Sequence, residues 1–214
     1  MNLMKKTLFL FTLLLSCMML QAQSAGDVEQ TGDKRSALTA SIEKAHKQMT
    51  SLSAQFTQRK SSALFTEDAV QKGKLNYKSP KMLRWEYTSP KAMTVIFANG
   101  KVLLKTDKGT VQNPNKMLNE MGTMIIGTIN GSFLNDATNF SAKYYKNSKT
   151  GTITVVLTPV NKRIKAYYTK MTITLDAKTL LADKVVMQEV SGDTTTITFS
   201  DKKTNLSLSD SLFK

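Results

Sequence analysis

Beyond residue 52 apolar and polar residues alternate through most of the chain, and a period of two is the signature of strands rather than helices. The clearest stretch is GKLNYKSPKMLRWEYTSP, residues 73–90. Leu75, Tyr77, Leu83, Trp85 and Tyr87 are all odd-numbered, so they share one face of a strand pair, while Lys78, Arg84 and Glu86 fall on the other. Pro80 has no backbone donor and suits a bend or an edge better than a central ladder. The pattern predicts a curved sheet with an aromatic inner face.

The same alternation predicts strands at 53–61, 70–78, 81–87, 92–98 and 101–106, with Asn99-Gly100 as a two-residue hairpin turn. A second group follows at 140–146, 152–157, 167–175, 181–190 and 194–200, with Ser191-Gly192-Asp193 as a turn. Short connections between consecutive strands imply an antiparallel meander. Two helices break the pattern. Leu38, Ile42, Ala45, Met49 and Leu52 recur at helical spacing after a start at Asp33 or Ser36. His46 lies one position beyond Ala45 and is placed on the surface. Between the strand groups, Met117, Leu118, Met121, Met124, Ile125 and Ile129 predict an amphipathic helix over 115–130, interrupted near Gly127 and Gly131. Its methionines suit ordinary core filling, and they also suit a surface that repacks against lipid-like ligands.

The N-terminus has a different logic. Lys5 and Lys6 precede an apolar run at 7–20 and then Gln21-Ala22-Gln23-Ser24-Ala25, the layout of a secretory signal peptide. The run is shorter than the roughly 20 residues a membrane-crossing helix needs. Cleavage fits after Ala22 or Ser24, giving a signal at 1–22, a flexible polar leader at 23–35 and one domain at 36–214. Cys17, the only cysteine, follows Leu14-Leu15-Ser16 in a lipobox-like context, so lipid anchoring there is the alternative. If it leaves with the signal, no disulfide is possible and the hydrophobic core must hold the fold.

Charge and chemistry narrow the function. The chain has 30 basic and 16 acidic side chains, a net charge of +14, which favours anionic partners. The lysines are scattered and not interleaved with stacking aromatics, so nucleic acid is not expected, whereas an anionic membrane surface fits. Catalysis lacks its parts: there is one histidine, no phosphate-binding glycine loop, no GxSxG and no His/Cys cluster at metal-ligand spacing. Neither an enzyme nor a cofactor is expected.

The segment 51–58, SLSAQFTQ, together with Gly73, Leu75, Lys78, Pro80, Arg84, Trp85, Tyr87, Pro90 and Asn99-Gly100-Lys101, resembles the outer-membrane lipoprotein carrier (LolA) family in residue order. The C-terminal NLSLSDSLF, 205–213, is similar to that family's final strand. The resemblance implies a mainly β fold with α-helices, an incomplete, half-open antiparallel β-barrel closed by an α-helical lid. It implies acyl chains bound between shell and lid, with Leu75, Tyr77, Leu83, Trp85 and Tyr87 on the shell and Met117, Met121, Met124 and Ile125 on the lid. The implied role is a monomeric periplasmic carrier that takes acylated lipoproteins from an inner-membrane release transporter toward an outer-membrane acceptor. A lipoprotein cannot cross water unaided, because each exposed methylene costs about 0.8 kcal/mol. A membrane-anchored receptor or lipid-sensing module on the same shell is the alternative, and a protein-interaction domain with a filled core is a third. One departure stands out: where the family has a lid-holding arginine before the proline, this chain has Ser79.

Overall fold

A computed structural model describes residues 26–113 and 116–214, so the expected signal peptide and Cys17 lie outside the described residues. The elements are β1 (Asp27–Glu29), α1 (Gly32–Lys47), β2 (Ser51–Ser61), β3 (Ala69–Lys78), β4 (Met82–Ser89), β5 (Met93–Ala98), β6 (Lys101–Thr106) and β7 (Gly109–Gln112). Then come α2 (Lys116–Ile129), a 3-10 turn (Ser132–Asn135), β8 (Phe140–Asn147), β9 (Ile153–Pro159), α3 (Lys162–Lys165), β10 (Tyr168–Leu175), β11 (Ala182–Glu189), β12 (Thr194–Thr204) and a second 3-10 turn (Asp210–Phe213).

All twelve strands belong to one antiparallel sheet in the order β1-β8-β9-β10-β11-β12-β2-β3-β4-β5-β6-β7. It does not close on itself, which makes the fold an open barrel with helical elements. The two strand groups read from sequence are its two halves. They are joined by β12 and β2, which pair from Thr194 opposite Ser61 to Thr204 opposite Leu52. Asn99 and Gly100 make the β5–β6 turn with φ of 53° and 72°, the left-handed pair that a tight hairpin requires.

Two buried clusters line the inner face. One gathers Leu52, Ala54, Phe56, Leu75, Tyr77, Leu83, Trp85, Tyr87, Val95 and Phe97 from β2–β5 with Ile129 of α2. The other gathers Tyr144, Ile153, Val155, Leu157, Met171, Ile173 and Leu175 from β8–β10 with Ile42 of α1 and Phe133. Met187 and Phe199 pack against both.

Several expectations need correction. Part of the expected leader is ordered: β1 adds to the sheet edge beside β8, and α1 already begins at Gly32. That helix stops at Lys47, and Met49 and Leu52 are buried beyond it, because Ser51 enters the ladder opposite Lys78 and the strand takes over. α2 is not broken at Gly127; it runs to Ile129, and the chain turns at Gly131 with φ 73°. His46 is buried, its Nε2 lying 3.2 Å from the Leu180 carbonyl and its Nδ1 without a hydrogen bond. Residues 205–213 form no strand. They cross the outer face, where Lys78 Nζ donates to the Leu208 carbonyl (3.0 Å) and Arg84 to that of Leu212 (3.4 Å), before Phe213 is buried.

Candidate functional site

The odd-numbered residues read from the sequence do share one surface. In the ladder Leu75 lies opposite Trp85 and Tyr77 opposite Leu83, while β2 places Leu52, Ala54 and Phe56 opposite Tyr77, Leu75 and Gly73. Leu75, Leu83 and Trp85 are fully buried, and Tyr77 and Tyr87 nearly so. Phe56 stacks on Trp85 with centroids 3.9 Å apart, Tyr87 meets Phe56 edge-on at 5.4 Å, and Phe199 meets Trp85 edge-on at 6.2 Å. Such ring pairs add about 0.5–1.5 kcal/mol each beyond the area they bury. Gly73 makes the stack possible: a Cβ there would sit 2.1 Å from the Glu86 carbonyl oxygen and 2.5 Å from the Phe56 ring.

α2 lies over this wall. Ile129 belongs to the wall cluster, and Leu118, Ile125 and Ile126 pack against it. Of the four residues assigned to the lid, Ile125 therefore reaches the wall, whereas Met124 packs against the β8–β10 cluster instead. Met117 and Met121 are on α2, but their side chains lie outside the described residues. At Gly122 a Cβ would fall 1.9 Å from the Phe97 ring, so the ring rests on bare helix backbone. Gly127 gives Phe133 the same room.

Few polar groups enter this interface. Tyr87 hydroxyl donates to Gln58 Oε1 at 3.2 Å, and the buried Trp85 Nε1 makes no hydrogen bond of normal geometry, with the Tyr87 hydroxyl beside it. Tyr77 hydroxyl donates to the Pro80 carbonyl at 3.0 Å and is met by the side chains of Ser79 and Asn130. Burial pushes both phenols above their ordinary range, so both stay neutral. Ser79 itself is exposed, its amide bonded to the Thr50 carbonyl at 2.9 Å. The Tyr77 hydroxyl, bonded to Pro80, thus lies beside Asn130 at the end of α2.

The space between wall and helix is small. A crevice among Leu52, Ala54, Leu75, Ile129, Leu181 and Phe199 has a volume of about 10 Å3, room for roughly one water. Among the described residues this crevice is too small for an acyl chain, with Ile129 of α2 on one side of it. A wider groove of about 490 Å3 lies at the end of α1, bounded by Met49, Gln48, Asp176, Leu181, Asp183 and Lys202. It meets the crevice at Leu181 and Lys202.

Phe56, Phe97, Phe199 and Gly122 were not singled out from the sequence. Phe56 was within reach, since Leu52, Ala54 and Phe56 share one parity in β2. Phe199 was not, because the β12–β2 pairing that carries it to Trp85 joins segments far apart in the chain. Among the described residues no three His, Cys, Asp or Glu side chains converge as a metal site, and no helix is long and apolar enough to cross a membrane.

Comparison with known proteins bears on the fold. The family model for "Outer membrane lipoprotein carrier protein LolA" matches residues 47–214. An uncharacterized conserved protein from Thermus thermophilus superposes with a TM-score of 0.52 at 7% identity, over 84% of this chain and 92% of that one. MucB does so with a TM-score of 0.52 at 12% identity, over 86% of this chain and 63% of its own. A LolA superfamily protein from Nitrosomonas europaea gives 0.45 at 13% identity, over 82% and 97%. No curated protein sequence matches.

Proposed function

This chain belongs to the outer membrane lipoprotein carrier family LolA, and from that premise we propose that it carries acylated lipoproteins through the periplasm, holding their acyl chains between the β2–β5 wall and α2. The observation that carries this reading is the nature of the cover. Among the described residues, the aromatic wall of β2–β5 is covered by a helix whose contacts with it are apolar and fitted around glycines. An acyl chain offers the wall the same kind of contact that Ile125, Ile126 and Ile129 offer it, so exchanging one for the other changes the free energy little. In this reading loading lifts α2 from the wall, the acyl chains taking over its apolar contacts. A release transporter on the donor membrane and an acceptor on the other are the partners this role requires. Met124 is on the moving helix, where a flexible thioether adapts to changing neighbours.

A filled-core interaction module is the second reading, favoured by the 0% exposure of Leu75, Leu83 and Trp85; the structural neighbour MucB is known in complex with MucA. The two separate on one binding experiment. A fluorescent diacylated lipopeptide should co-elute with the protein, and the same peptide without its acyl chains should not. Equal binding of both peptides would favour the interaction module.

A further inference from the structure

The large apolar side chains that the fold leaves in water are gathered at one end of the sheet. Five of them are Leu64 (87% exposed), Phe65 (74%), Tyr167 (57%), Val190 (56%) and Val160 (43%). They sit on three connections, 62–68 between β2 and β3, 160–167 between β9 and β10, and 190–193 between β11 and β12. The register puts all three at the same end: Tyr168 pairs with Glu189, and Thr194 with Ser61. They are also tied to one another. Val190 N–H donates to the Tyr167 carbonyl at 2.9 Å, and Lys60 of β2 spans Glu189 (3.0 Å) and Asp193 (3.3 Å). The other exposed large apolar residues, Val28, Val111 and Leu206, lie on the two sheet edges and in the C-terminal segment.

The charge at this end is mainly basic, although Asp107 in the β6–β7 turn lies there too. Lys162, Arg163 and Lys165 of α3 are exposed and, among the described residues, make no ion pair. Lys91, in the β4–β5 turn, is at the same end, since Ser89 pairs with Lys72. On the three connections, Asp68 is taken by Arg59 at 2.9 Å and Asp193 by Lys60, which leaves Glu67. Exposed Leu and Phe at a loop tip, a half-exposed Tyr, and free cations around them are what an interfacial membrane contact uses. The apolar groups enter the acyl boundary while the cations meet anionic headgroups.

We propose that this rim docks the protein on an anionic lipid bilayer, with Leu64 and Phe65 inserted and the α3 cations over the headgroups. The proposal goes beyond acyl-chain carriage: it concerns the rim, and it stands whether or not the wall binds a ligand.

The test is co-sedimentation of the mature protein with vesicles of phosphatidylglycerol and phosphatidylethanolamine, against vesicles of phosphatidylcholine alone. Binding is expected on the anionic vesicles, weakening with salt. Leu64→Ser with Phe65→Ser should abolish it, and Lys162→Glu, Arg163→Glu and Lys165→Glu together should weaken it by about tenfold or more. All five positions are solvent-facing or part of a short surface helix, so circular dichroism should be unchanged. Val28→Ser with Val111→Ser, on the sheet edges, should bind as wild type. Absence of binding to anionic vesicles, or undiminished binding by the Leu64/Phe65 variant, would overturn the proposal. Binding lost equally in the edge variant would overturn it as well.

Discussion

Two helices cover the same sheet in opposite ways. α1 is mostly polar, buries only Ile42 and His46, and is fastened by directed contacts: Arg35 lies over the Tyr144 ring at 5.2 Å, and His46 meets the Leu180 carbonyl. α2 is mostly apolar and is fastened by shape, with Phe97 against Gly122, Phe133 against Gly127, and three isoleucines on or against the wall. Directed contacts hold one geometry and are lost when it changes. Apolar contacts accept any apolar partner. The comparison teaches which cover is the better candidate to move: under the proposed carriage, α1 is the fixed side of the fold and α2 the side an acyl chain would replace.

Removing the wall's centre should cost most. Trp85→Ala should destabilise the fold by about 3–5 kcal/mol, measured by chemical denaturation, since its ring is fully buried and stacked on Phe56. A loss confined to α2, with β3 and β4 still protected from hydrogen exchange, would show that the wall does not depend on the stack.

Gly122→Ala probes the cover itself. The methyl has no room beside Phe97, so about 1–3 kcal/mol of overpacking strain should raise hydrogen exchange across 116–129 and leave 32–47 unchanged. Equal loosening of both helices would erase the difference between them. Tyr77→Phe should have a smaller effect, about 1 kcal/mol, again confined to the end of α2, because it removes the hydroxyl shared by Pro80, Ser79 and Asn130. Protection at Asn130 that is unchanged in Tyr77→Phe would show that this hydroxyl does not hold the end of α2.

The mildest probe is acid, and it acts on α1. Desolvation lowers the His46 pKa in the folded state, with the hydrogen bond to Leu180 opposing it. The folded form therefore favours the neutral ring, and stability should be full above the ordinary histidine pKa of about 6.5 and fall as pH drops below it. As the only histidine, it can be followed by its single imidazole resonance. The fall between pH 6.5 and 5 should vanish in His46→Gln, and its persistence there would assign it to another group.

Most strand positions are legible because one face of the strand is buried, so a two-residue period survives in the sequence; β1 and β7, which bury no residue, are not. Leu75 to Tyr87 could be assigned to one surface on that basis alone. What could not be read depends on neighbours distant in sequence. His46 was placed in water because its helix is polar around it, and only Gly131 and Leu180, brought in by the fold, bury it. Residues 205–213 alternate like a strand, yet Lys78 and Arg84 carry them across the outer face. Ser79 is exposed, and the buried hydroxyl nearest the end of α2 belongs to Tyr77, two residues earlier on the wall.

The most direct measurement uses the only tryptophan in the chain, which lies at the centre of the wall and is shielded from water by the packing around it. A lipopeptide with bromine atoms midway along its acyl chains should quench Trp85 emission on binding, while the same bromines on its peptide portion should not. Binding that leaves Trp85 emission unchanged with either probe would place the acyl chains elsewhere and contradict carriage between the wall and α2.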